Sequence, residues 1–172
     1  EGSVGARLAA ADGVEIVAHV GSSAIGRAIA RACAERGAKA LLENGGNDAL
    51  IVDGDVDPRW AAEQAALGAF ANAGQICVSV ERIYVVDAVA VPFVSALVEQ
   101  AGMWARRLGP LVDERHREQV HAQVSDAVTR GARVLAGGRP QPGASTFYPP
   151  TVLTDCTPEM ASSTTTHCAG ST

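Results

Sequence analysis

Apolar and polar positions follow two periods along this chain, and stretches of one period alternate with stretches of the other. Short β-branched or alternating runs predict strands at residues 14–20, 39–43, 48–53 and 82–86. Apolar residues at helical spacing predict amphipathic helices at residues 24–36, 58–74, 91–107 and 114–129. Strands that alternate with helices predict an α/β fold with a largely parallel sheet.

Composition and charge narrow the class of protein. The 172 residues are 47% hydrophobic and 19% charged, which is typical of a soluble globular chain, and no apolar run is long enough to predict a membrane span. The net charge of −5, without a stripe of Lys and Arg, argues against binding to nucleic acid.

The four cysteines are scattered, at Cys33, Cys77, Cys156 and Cys168. They form no Cys-x-x-Cys pair, and no secretion signal begins the sequence, so we infer a cytoplasmic, reducing environment. Their spacing to histidines matches no zinc site, and we predict no metal.

A strand-to-helix turn at residues 21–26 predicts an anion site. The free N–H groups of a helix start, capped by Ser22 or Ser23, suit a pyrophosphate. Gly21 and Gly26 also have the spacing of a nucleotide-triphosphate loop, but Arg27 and Ala28 replace the lysine and the hydroxyl which that chemistry needs. A tight turn without a ligand is the third interpretation.

Cys77 is the candidate reactive residue. It lies between the predicted end of a helix, a Gly74-Gln75 turn and the start of a strand, so rigid elements hold a short loop on both sides. An unpaired cysteine more often behaves as a small buried apolar residue, and that alternative stays open on residue type alone.

Three ordered motifs resemble the aldehyde dehydrogenase superfamily. Residues 72–77, Asn-Ala-Gly-Gln-Ile-Cys, resemble the family's active-site signature, and residues 42–47, Leu-Glu-Asn-Gly-Gly-Asn, resemble its glutamate box. The glutamate and the cysteine, Glu43 and Cys77, are 34 residues apart, which fits the family pattern. Residues 19–26 occupy the place of the family's cofactor turn.

The resemblance implies an incomplete, three-layer aldehyde dehydrogenase-like fold, with this chain as a truncated fragment. Residues 1–43 would be the end of the NAD(P)-binding domain, and residues 44–160 a part of the catalytic domain. Residues 161–172 are rich in Ser and Thr, and we expect a disordered tail outside the family. The segment from Trp104 to Leu108 is shorter than the family pattern, which indicates a local deletion.

The resemblance also implies a function, the oxidation of a small aldehyde to a carboxylic acid through a cysteine thiohemiacetal and a thioester. Cys77 would be the nucleophile and Glu43 the general base. The cofactor, NAD or NADP, would be bound by Gly21, Ser22, Ile25, Asn44 and Gly45.

Two further expectations concern the chain as a whole. Full-length relatives form homo-oligomers, and we expect the chain alone to turn over weakly or not at all. The alternative is a non-catalytic remnant that acts as an assembly partner. Asn44 stands where the family has leucine, which leaves the positioning of the base open.

Overall fold

The structure of the chain is a computed structural model that describes residues 2–141, 145–157, 160 and 167–170. The chain divides into two compact units, residues 1–46 and residues 47–172. The boundary predicted between residues 43 and 44 falls inside a strand that ends at Asn44, and the observed division follows Gly46.

The first unit is a small strand–helix–strand layer. Its elements are α1 (Gly2–Ala9), β1 (Ile16–Gly21), α2 (Ser23–Glu35) and β2 (Lys39–Asn44). Strands β1 and β2 are parallel, in a register that pairs Ile16 with Lys39 and Gly21 with Asn44. The Ser22 side chain accepts a hydrogen bond from the Ile25 amide and caps α2.

One face of this two-stranded sheet is half-buried and the other is exposed. Helix α2 packs against both strands. Burial alternates along each strand as the strand period requires, so Val17 and Leu42 are half-buried. Val20 and Leu41, on the opposite face, are 78% and 61% exposed.

The second unit holds a five-stranded sheet. Its elements are β3 (Asp48–Val52), α3 (Pro58–Phe70), β4 (Val80–Val85), α4 (Asp87–Trp104), α5 (Glu114–Thr129), β5 (Arg133–Ala136), β6 (Val152–Thr154) and β7 (His167–Gly170). The strand order is β3-β4-β7-β6-β5, and every neighbouring pair is parallel except β5 with β6. The predicted α/β class and the largely parallel sheet are therefore confirmed.

Helices α3 and α4 pack on each other and form most of the main core with β4. The side chains of Ile83, Phe93 and Leu97 are fully buried there. Burying a side chain of this size contributes on the order of 2 kcal/mol. Helix α3 faces this core with small residues, namely Ala61, Ala62, Ala65, Ala66 and Ala69.

The ends of α3 show why it forms where it does. Asp57 Oδ1 accepts a hydrogen bond of 2.8 Å from the Arg59 amide, and Pro58 occupies the first turn, as predicted from the sequence. At the other end the helix stops at Phe70, and a 3-10 turn, Ala71–Gly74, leads to the loop that holds Cys77.

The expectation of a disordered tail is wrong for residues 167–170. They form β7, which lies between β4 and β6 and pairs in parallel with both. Neighbours on both edges give its backbone groups partners, so local composition does not decide the outcome. Residues 161–166, 171 and 172 of the predicted tail lie outside the described residues.

Helix α4 also departs from prediction, because it runs from Asp87 to Trp104 and not from residue 91 to 107. Pro92 lies inside it, close enough to the N-terminus that its missing N–H affects only one early carbonyl group. In the described part of the chain, we find no helix with the length and apolar character needed to cross a bilayer.

Candidate active site

The loop around Cys77 begins with an unusual backbone. Asn72 and Ala73 have φ values of 51° and 57°, and Gly74 follows with φ of 73°. Left-handed conformation is uncommon outside glycine and costs about 1 kcal/mol or more for each residue. Three such residues in succession turn the chain away from α3 and toward β4.

Two side-chain amides hold this turn. Asn72 Nδ2 donates to the Gln75 carbonyl at 3.1 Å, and Gln75 Nε2 donates to the Asn72 carbonyl, also at 3.1 Å. The two residues therefore close the turn reciprocally. Gln75 also reaches the segment before α5, since its Oε1 accepts a bond of 2.9 Å from the Val112 amide and its Nε2 lies 3.5 Å from the Pro110 carbonyl oxygen.

Ser79 holds the other end of the loop. Its side chain is buried, and its hydroxyl lies 3.2 Å from the carbonyl oxygens of both Gly68 and Ala69 in the last turn of α3. Its amide donates to the Ile76 carbonyl at 3.0 Å. The loop is therefore attached to the fold on both sides of Cys77.

Cys77 itself is a free, exposed thiol. The apolar neighbours Ile76 and Val78 are 41% and 67% exposed, so they do not bury it. The alternative of a buried structural cysteine is therefore wrong for this residue. It applies to Cys33, which is 1% exposed on the inner face of α2, as its helical spacing predicts.

In the first unit, the predicted cofactor residues lie at the carboxyl ends of two adjacent parallel strands. Gly21 ends β1, and a Cβ atom there would come within 2.9 Å of the Cε1 atom of His19. Ser22 and Ile25 are exposed in the turn and the first turn of α2. A short strand-to-helix turn with an accessible helix N-terminus fits an anionic group.

Glu43 and Asn44 end β2 beside this turn. Glu43 is exposed and pairs in register with Val20, and Asn44 pairs with Gly21. Gly26 makes room for the Asn44 amide, because a Cβ atom on Gly26 would lie 2.2 Å from Asn44 Oδ1. The asparagine that replaces the family's leucine thus packs on α2, and Gly45 follows as an exposed residue.

Two further observations concern the cysteines and metal binding. Cys156 is disulfide-bonded, and the cytoplasmic, reducing environment stays a prediction. Within the described ranges, no three His, Cys, Asp or Glu side chains cluster in a way that could hold a metal ion.

Sequence reasoning proposed Cys77 as the reactive residue but missed the residues that support its loop. Asn72 and Gln75 hydrogen-bond to each other's backbone carbonyl groups, and the Ser79 hydroxyl hydrogen-bonds to the last turn of α3. The available signal was a pair of amide residues that flank a glycine between an apolar helix and a strand. Such residues favour local side-chain to backbone bonds.

A family model described as "Aldehyde dehydrogenase family" matches residues 1–168. The chain belongs to the aldehyde dehydrogenase family. Membership confirms the resemblance to this family that the three sequence motifs indicate.

Curated relatives agree with this assignment. The chain is 39% identical over 150 residues to 3-sulfolactaldehyde dehydrogenase of Pseudomonas putida, covering 81% of this chain and 30% of that protein. It is 38% identical over 171 residues to a Deinococcus radiodurans succinate-semialdehyde dehydrogenase whose name specifies NADP(+), covering 89% and 35% respectively. The chain therefore spans about a third of the length of these relatives.

Solved structures of similar proteins share the fold. Lactaldehyde dehydrogenase from Escherichia coli superposes with a TM-score of 0.91 at 33% identity, covering 98% of this chain and 38% of that one. A 3,6-anhydro-L-galactose dehydrogenase in complex with NAP superposes with a TM-score of 0.90 at 30% identity, covering 98% and 39%. Betaine aldehyde dehydrogenase from Staphylococcus aureus, in complex with NAD+, gives 0.91 at 26% identity, covering 99% and 37%. Similar proteins thus bind either form of the cofactor.

Proposed function

We propose that this chain supplies the nucleophile, the general base and part of the cofactor site for NAD(P)+-dependent oxidation of a small aldehyde to a carboxylic acid. One observation carries the proposal: Cys77 is an exposed free thiol in the family's signature sequence, on a loop attached to the fold on both sides. Because the chain spans only about a third of its relatives, the activity is proposed for the whole protein.

The first step is addition of Cys77 to the aldehyde. The thiolate is the reactive form of cysteine, and it forms a C–S bond to the carbonyl carbon while the C=O π electrons move to oxygen. The backbone N–H of Cys77 is the proposed donor to the resulting oxyanion. Exposure of the thiol leaves room for the substrate to approach it.

The turn of the first unit fits the phosphate groups of a nicotinamide dinucleotide. The proposed binding residues are Gly21, Ser22, Ile25, Asn44 and Gly45, which lie at one end of the β1–β2 sheet. The support is the exposed N-terminus of α2, which Ser22 caps directly after β1. NAD(P)+ held by these residues would supply the two-electron acceptor for the hydride of the former aldehyde carbon.

Loss of that hydride leaves an acyl group on Cys77 as a thioester. Glu43, exposed at the end of β2, is the proposed general base that takes a proton from water. The hydroxide attacks the thioester carbonyl, the C–S bond breaks, and the electron pair returns to the Cys77 sulfur. The carboxylic acid leaves, and the sum is aldehyde, NAD(P)+ and water giving acid, NAD(P)H and a proton.

The rate of Cys77 alkylation tests the nucleophile. Because Cys156 is disulfide-bonded, iodoacetamide labelling is followed by site-resolved mass spectrometry without reductant. Cys33 is buried, so its slow alkylation would reflect lack of access and not lower reactivity. The matched control is therefore the thiol introduced by Ser125→Cys at an exposed position of α5. We expect Cys77 to react at least about tenfold faster than that thiol near neutral pH.

Glu43→Gln tests the base in the same assay, with Glu15→Gln as the control because Glu15 is also exposed in the first unit. The expected result is a changed pH profile of Cys77 alkylation in the first variant and an unchanged one in the second. Equal rates for Cys77 and the thiol at position 125 would refute the proposed nucleophile.

A second function is favoured by the exposed apolar face of the first unit. Ile16, Val20 and Leu41 are 55%, 78% and 61% exposed on one face of the β1–β2 sheet. A non-catalytic assembly partner would use such a face. Strong binding of an apolar dye, together with an unreactive Cys77, would favour this function over the enzyme.

A further inference from the structure

Gln75 connects the Cys77 loop to a distant part of the second unit. The bond of 2.9 Å from the Val112 amide to Gln75 Oε1 spans 37 positions of sequence. On its other side, Gln75 Nε2 donates to the Asn72 carbonyl at 3.1 Å. A single primary amide thus satisfies backbone groups from two segments at once.

The segment that Gln75 reaches is itself anchored. Leu111 is 4% exposed in the second core cluster, and its amide donates to the Thr146 carbonyl at 3.1 Å. Val112, one residue later, is 79% exposed, so its side chain contributes little packing. Its amide bond to Gln75 therefore attaches the loop to a fixed point.

Apolar packing orders the start of the loop, where Ala73 is buried in the second core cluster, but not the part next to Cys77. Ile76 and Val78 are both exposed, so burial of apolar surface does not fix the backbone beside Cys77. The left-handed residues Asn72 and Ala73 favour other conformations in the absence of tertiary contacts. The hydrogen bonds of Asn72, Gln75 and Ser79 therefore help to select one geometry for the backbone around Cys77.

We propose that Gln75 is a positioning residue, which fixes the backbone around Cys77 by tying it to the Val112 amide. The proposal rests on the proposed function for its chemical meaning, since Cys77 is the group being positioned. Gln75 itself does not touch the reacting atoms. Its effect is to keep the Cys77 thiol and amide in one arrangement between turnovers.

Three variants separate this role from general stability. Gln75→Ala removes the acceptor and the donor together. Gln75→Glu keeps an oxygen for the Val112 amide but loses the donor to the Asn72 carbonyl. Gln64→Ala, at an exposed position of α3, is the matched control.

Amide hydrogen exchange measured by NMR on the whole chain reports the two ends of the link. In Gln75→Ala we expect faster exchange at Val112 and also at Ser79, whose amide bond to Ile76 closes the turn over Cys77. In Gln75→Glu, exchange should rise at Ser79 and stay slow at Val112. Gln64→Ala should change neither, and fluorescence of Trp104 should stay native in all three.

The pH profile of Cys77 alkylation is the second readout. We expect Gln75→Ala to lower the rate near neutral pH at least about tenfold and to change the profile, while Gln64→Ala leaves both unchanged. Unchanged Ser79 exchange and an unchanged Cys77 profile in Gln75→Ala would overturn the positioning role. If Cys77 reacted no faster than the thiol introduced by Ser125→Cys, the proposed function would fail, and Ser79 exchange would still decide whether Gln75 orders the loop.

Discussion

At the residue scale, the fold alters the titration of the Tyr148 side chain. It is 5% exposed, and its hydroxyl lies 3.1 Å from Nδ1 of His121. Burial raises the pKa of the Tyr148 phenol from 10.0 to about 12, because the phenolate would lose its hydration. The neutral phenol is therefore favoured in the folded state.

This shift predicts a loss of stability at alkaline pH. Between about pH 10 and pH 12 the unfolded chain releases a proton that the folded chain retains, so the free energy of unfolding falls as pH rises. Tyr148→Phe should remove this part of the slope, measured as the urea midpoint against pH. Tyr84→Phe is the control, since Tyr84 is 42% exposed, and equal slopes for wild type and Tyr148→Phe would contradict the prediction.

At the scale of elements, the contact between α3 and α4 depends on small side chains. Ala62, Ala65 and Ala66 are fully buried on the face of α3 that meets the core. The distance between packed helices follows the size of the residues at the contact. Alanines at these positions therefore set how closely α3 approaches its neighbours.

Enlarging one of them should strain the core. We expect Ala66→Leu to lower the free energy of unfolding by about 1–3 kcal/mol, because no space exists for the added carbons. The control is Ala122→Leu at an exposed position of α5, which should change stability by less than about 0.5 kcal/mol. Urea unfolding followed by Trp104 fluorescence measures the free energy of unfolding of both variants. A loss for Ala66→Leu as small as the loss for Ala122→Leu would show that the α3 face tolerates larger residues.

Elements that depend on local signals could be predicted from the sequence. Helix α2 has its cap at Ser22 and its stop at Gly37, and α3 has its cap at Asp57, where the sequence indicated them. Strand β7 has no such signal, since its strand geometry comes from pairing with β4 and β6. Helix α1 was also not predicted from the sequence, because Gly2, Ser3 and Gly5 lower the helix propensity of this short segment.

In the candidate site, too, some residues carry a signal in the sequence and others depend on tertiary contacts. Cys77 and Glu43 could be proposed from the sequence because the motifs around them resemble those of the family. The roles of Gln75 and Ser79 could not, since their partners lie at Val112 and in the last turn of α3 and are brought close only by folding. Their importance follows from tertiary contacts and not from pattern.

At the scale of the whole molecule, the two units differ greatly in core size. Among the described residues, the buried apolar side chains of the first unit are Ala9 and Cys33, while the second unit contains two buried clusters. Small cores give little stabilisation against chain entropy. The first unit should therefore open more readily than the second.

Alkylation of Cys33 measures that opening, since the thiol is buried when the unit is closed. We expect Cys33 to become reactive at urea concentrations at which Trp104 fluorescence is still native. A bound dinucleotide would delay this labelling if it selects the closed unit. Simultaneous changes of the two signals would show instead that the whole chain unfolds in one step.

The bond between Gln75 and Val112 also decides where the chain can change in length. Residues 105–107 form an exposed turn after α4, and inserted residues there would only enlarge a surface loop, at a cost that grows slowly. An insertion between Pro110 and Val112 would instead carry the Val112 amide away from Gln75. Evolution can therefore lengthen or shorten this connection before Pro110, where the resemblance indicates a deletion, and leave the Cys77 loop intact.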